Sequence, residues 1–99
     1  MALSKEEREQ FLADISAFAE MLSRDHGLCV LSTLRGDGSI QSSVVNAGVM
    51  AHPRTGEPVV ALVAIGGTRK LDHLRSDPRA TAVARHGWQW VTVEGSAEI

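Results

Sequence analysis

Gly66-Gly67-Thr68-Arg69-Lys70 follows an apolar run and opens a short helical pattern. A helix N-terminus is electropositive and favours acidic side chains, so two cations in the first turn oppose its field. The mismatch costs only about 0.3–1 kcal/mol, and a bound anion reverses its sign. Free amides at the helix start, the Thr68 hydroxyl and the Arg69 and Lys70 side chains together make a phosphate-sized cradle. The paired glycines let backbone approach a ligand closely. A plain Thr68 cap beside two solvated cations is the alternative. The run lacks the Gly-x-x-x-x-Gly-Lys-[Ser/Thr] pattern of a nucleotide P-loop, so it does not point to an ATPase.

Other chemistry-bearing residues are sparse. Ser42 and Ser43 lie on an expected strand that should be largely buried, and buried hydroxyls need partners. The carbonyl and imide edges of a ring could supply them, as could neighbouring backbone. Trp88 and Trp90 are the only tryptophans and share a strand face. Core or dimer packing is their ordinary role, and lining an aromatic pocket is the sharper one. His26, His52, His73 and His86 include no pair at i, i+4 on one helix, which argues against a local zinc site. Cys29, the single cysteine, reads as a small buried hydrophobe. Asp72 and Arg75 read as a surface ion pair. No Gly-x-Ser-x-Gly elbow and no acid pair for glycoside chemistry occurs. No catalytic residue and no metal ligand is assigned.

These residues need elements to position them. Ser4 with Glu7 forms a capping box. Phe11, Ile15, Phe18 and Leu22 then recur at helical spacing, widened by Leu12 and Ala19, and predict a helix from Lys5 to Arg24 that stops at Gly27. Residues 28–34 read as a strand, and Arg35-Gly36-Asp37-Gly38 as a hairpin turn. Residues 39–50 make a second, partly polar strand. Residues 59–65 make a third, apolar on both faces and so expected to be fully buried. The short helix spans 68–76 and is stopped by Asp77-Pro78. Residues 80–85 and 88–99 are two more strands. On the last, Gln89, Val91 and Val93 share one face, and Trp88, Trp90, Thr92 and Glu94 the other. Strands joined by short turns after one helix suggest a small β-barrel. The chain stops at Ile99 while still reading as a strand, so that edge is expected to need a further strand or another chain.

With 99 residues the chain is read as one domain, the N-terminal helix in 1–26 and barrel strands in 27–99, apparently cut short at the C-terminus. Ten basic against twelve acidic residues give a net charge of −2, with no general attraction to nucleic acid or an acidic membrane. The polar start is unlike a signal peptide, and no apolar run approaches a membrane span. A cytoplasmic protein is expected. A barrel that binds single-stranded nucleic acid is disfavoured by the charge and the scarcity of exposed aromatics.

Residues 68–85, Thr-Arg-Lys-Leu-Asp-His-Leu-Arg-Ser-Asp-Pro-Arg-Ala-Thr-Ala-Val-Ala-Arg, resemble a signature of the pyridoxamine 5'-phosphate oxidase-like, FMN-binding split-barrel family. That signature runs Ser-Arg-Lys, helix, Asn/Asp-Pro-Arg, strand. Residues 87–99 resemble the family's next strand, which often ends Gly-x-Ala-Glu, and 28–45 its opening hairpin. The resemblance covers about residues 26–99. It implies a fold that is mainly β with α: a split β-barrel, antiparallel and Greek-key-like, with an N-terminal helix and one short helix between strands. It places phosphate contacts on Thr68, Arg69 and Lys70. It lays a flavin or deazaflavin ring along Gln41, Ser42, Ser43, Val44, Val45 and Asn46, with Trp90 as a further contact. Gln41 stands where FMN-using members often carry arginine, and Ala64 where many carry Ser or Thr. Both the missing arginine and the Asp-Pro-Arg and Gly-Trp-x-Trp runs favour the branch resembling F420-dependent oxidoreductases. The implied protein is a homodimer with the cofactor at its interface. It transfers a hydride between coenzyme F420, or alternatively FMN, and a small organic substrate. A non-enzymatic flavin, F420 or haem carrier is the other reading.

Overall fold

The structure is a computed structural model that describes residues 3–63 and 69–99. Helix α1, Lys5–Arg24, begins with the capping box: Ser4 Oγ accepts from the Glu7 amide at 3.1 Å, and the Glu7 carboxylate accepts from the Ser4 amide at 3.3 Å. Ile15, Phe18, Met21 and Leu22 are buried. The stripe is thus narrower at its start than the spacing suggests, with Leu12 exposed, and it gains Met21 near its end. His26 and Gly27 reverse the chain in the left-handed region, at φ 57° and 75°. There the Gly27 amide bonds Leu22 O at 2.8 Å.

Five antiparallel strands follow: β1 (Leu28–Leu34), β2 (Ile40–Ala51), β3 (Pro58–Leu62), β4 (Arg79–His86) and β5 (Gln89–Ser96), with helix α2 (Arg69–Ser76) between β3 and β4. Their order across the sheet is β3-β2-β1-β4-β5. Three consecutive strands followed by a fourth that returns beside the first make a Greek key. β2 serves two partners in turn. Ile40 to Asn46 pair with β1, and Ala47 to Ala51 pair with β3. The sheet curls as a half-barrel around α1, which packs on β4, β5, β2 and β3. The β1–β2 turn closes with Gly38 at φ 86° while the Asp37 carboxylate accepts from the Ser39 amide and hydroxyl. Only the glycine takes the positive angle there.

One face of the sheet meets the helix. Phe18, Met21, Leu22, Cys29, Ala82 and Ala84 form the core cluster, flanked by half-buried Val45, Val49, Val60, Val91 and Val93. Burial pushes the Cys29 thiol above its ordinary range, in keeping with a packing role. The small side chains of Ala82 and Ala84 leave room for Phe18. β3 departs from expectation. It ends at Leu62, its five residues are only half-buried, and Val63 is 97% exposed; residues 64 and 65 lie outside the described residues. A strand at the sheet edge has a neighbour on one side only, so an apolar sequence does not suffice to bury it. The faces of β5 follow the alternation, and Trp88 and Trp90 lie outside the core at 95% and 68% exposure. Among the described residues, no helix is long and apolar enough to cross a membrane.

α2 ends where Asp77 accepts from the Arg79 amide at 3.1 Å and grips the Arg79 guanidinium at 2.7 Å. The Asp72–Arg75 pair is present at 3.5 Å on the surface. The Arg79 side chain, then its amide, holds the Asp77 carboxyl down to about 2. A depressed carboxylate pKa favours the fold above the unfolded value of roughly 4, and that contribution disappears as pH falls through the folded value. Carboxyl NMR is expected to give Asp77 a midpoint near 2. In Arg79→Ala it should return toward roughly 4.

Candidate functional site

The basic turn sits at the start of α2. Arg69 is exposed and Lys70 half-buried; Thr68 lies outside the described residues. Neither cation forms an ion pair among the described residues. α2 docks on β1, where His73 Nδ1 lies 3.4 Å from Thr33 Oγ1. Thr33 is buried, and its cross-strand partners are Gln41 and Ala80. Arg69 precedes His73 by four residues and therefore shares its side of the helix. The two cations thus lie one helical turn before the residue that docks against Thr33.

Strand alternation divides the residues predicted to line a ring. Gln41, Ser43 and Val45 turn inward and are half-buried, whereas Ser42, Val44 and Asn46 turn outward and are exposed. One ring on one face of β2 cannot meet all six side chains. The outward polar groups are already engaged. Ser42 Oγ shares a 2.7 Å hydrogen bond with Ser32 Oγ, and Asn46 Nδ2 donates to His26 O at 2.7 Å, fastening the turn after α1. The inward pair is different: Gln41 Oε1 and Ser43 Oγ are buried and meet no hydrogen-bond partner among the described residues. Buried polar atoms without a partner typically cost about 1–3 kcal/mol each, which makes Gln41 and Ser43 the candidate polar contacts on this strand.

The outer face is apolar over much of its breadth. Val44, Val30 and Val83 stand in one cross-strand row with Thr92, and Trp90 lies opposite Arg85. Val44 is 66% exposed. A groove of about 520 Å³ crosses this face nearer the β1–β2 turn, lined by Ser32, Leu34, Ile40, Thr81, Glu94 and Ser96. The sequence reading missed it, although the period-two pattern aligns Ser32, Thr81 and Glu94 once the register is known. Its carboxylate disfavours an anion. The one cation on its wall, Arg79, is tied to Asp77. Among the described residues no cluster of three or more His, Cys, Asp or Glu is placed to hold a metal ion. No family model matches the chain, and no curated protein matches it either.

Proposed function

We propose that this chain is a split-barrel oxidoreductase of the pyridoxamine 5'-phosphate oxidase-like kind, using coenzyme F420, or FMN as the alternative. The observation that carries the reading is the buried pair Gln41 Oε1 and Ser43 Oγ, without a hydrogen-bond partner among the described residues, on the strand next to the one that docks the cation-bearing helix α2. An amide and a hydroxyl match the carbonyl and imide edges of a flavin-like ring, and Arg69 and Lys70 match its phosphate. Bound there, such a ring would supply the hydride chemistry. The protein's share is to fix the ring's edge through Gln41 and Ser43, hold the phosphate through Thr68, Arg69 and Lys70, and exclude water. Ser42 and Asn46 contribute through backbone and shape, their side chains being engaged elsewhere. A second copy would cover the outer face with Val30, Val44 and Trp90, making the protein a homodimer in the cytoplasm. A carrier that binds without turnover would use the same groups.

Titrating the protein with F420 and with FMN separately, read by quenching of Trp88 and Trp90 fluorescence, tests the proposal. Saturable binding is expected. Lys70→Ala is expected to weaken it by roughly three- to tenfold, as for a lost charge-assisted contact, with unfolding unchanged. Binding unaffected by that substitution removes the cradle, and no binding of either cofactor ends the proposal. Turnover of an enone or quinone with reduced cofactor separates the enzyme from the carrier.

A further inference from the structure

The two outermost strands, β3 and β5, are far apart in the sheet order but are joined through the β2–β3 loop. His52 opens that loop with a side chain only 15% exposed. Its Nδ1 faces two backbone donors, the amides of Arg54 at 3.1 Å and Thr55 at 3.4 Å. Its Nε2 lies 2.9 Å from Glu98 Oε2, just beyond β5, and Arg54 Nη2 reaches the same oxygen at 3.0 Å. Glu57, at the other end of the loop, is held by Arg8 of α1 at 2.8 Å.

This arrangement fixes the ring's protonation. Facing two N–H groups, Nδ1 must be the acceptor, so Nε2 carries the hydrogen and donates it to Glu98. We infer that residues 52–55 and Glu98 form a pH-sensitive latch, closed across the two sheet edges by neutral His52 and loosened when the ring is protonated. A second ring proton must sit on Nδ1, directly against the Arg54 and Thr55 amides, and the turn has to give way. The charged groups facing the ring are the Glu98 carboxylate and the Arg54 guanidinium, while Glu57 is occupied by Arg8. His52 and then Arg54 hold the Glu98 carboxyl below its ordinary range.

NMR of the whole chain tests this without a ligand. At about pH 7.5 the ring nitrogens of His52 are expected to show the Nε2–H tautomer. Toward about pH 5 the Arg54 and Thr55 amide protons are expected to move upfield with the midpoint of the ring. Their exchange protection, corrected for intrinsic rates, should fall about tenfold. His52→Asn keeps an acceptor for the two amides in its side-chain carbonyl but cannot titrate, so its response should be flat. A proton on Nδ1 at neutral pH, or amides indifferent to the titrating ring, overturns the inference. The wild-type titration decides the matter even if the variant does not fold.

Discussion

Phe18→Ala is expected to destabilise the protein by about 3–5 kcal/mol. Phe18 is wholly inaccessible and is the largest fully buried side chain among the described residues. It lies in the interface that joins α1 to the curled sheet, in one cluster with Ala82 and Ala84 of β4. Those alanines cannot lengthen to fill the void, and the strand holding them is hydrogen-bonded on both sides to β1 and β5. The cavity therefore persists and its full cost is felt. A domain of this size has a total stability of roughly 5–15 kcal/mol, so the variant should unfold at markedly lower denaturant with an unchanged slope. A loss below about 1 kcal/mol would mean that α1 is not docked as described.

Gly27→Ala is expected to cost about 2–4 kcal/mol, for two separable reasons. Its φ of +75° is one that an L side chain adopts only with strain. A Cβ there would also stand 2.9 Å from Asn46 Nδ2 and 3.0 Å from Ala47 O. The Asn46 amide could retreat only by giving up its bond to His26 O. The Ala47 carbonyl has less freedom, because the Ala47 amide is bonded to Gly27 O at 2.8 Å. Gly38→Ala separates the terms, since Gly38 has φ +86° with open space around its missing Cβ. Its loss should be about 1–2 kcal/mol, from backbone strain alone. Equal melting shifts for the two variants would show that the close approach of the α1–β1 turn to β2 carries no energy.

The legible features were those governed by local spacing. The Ser4–Glu7 cap, the α1 bounds, the β1–β2 turn and the two faces of β5 follow from residues within a few positions of one another. What escaped the sequence depended on partners distant along the chain. The apolar run in β3 says nothing about whether a strand lies on each side of it. The resemblance lays a ring along 41–46 as one continuous stretch, and only the pleat shows that Ser42 and Asn46 turn away from Gln41 and Ser43. The Ser32–Ser42 bond and the contacts of His52 with Glu98 need a register before they can be foreseen.

β2 has a bearing on how the chain finds its native alignment. Its first seven residues are matched to β1 and its last five to β3, without a break. A shift by one position against either neighbour would present Val45, Ala47 and Val49 to solvent together and drive Ser42 and Asn46 into the apolar interior. A mistake made at one end is thus penalised at the other. The strand acts as its own proofreader, and misaligned hairpins should be erased before the helix closes over them.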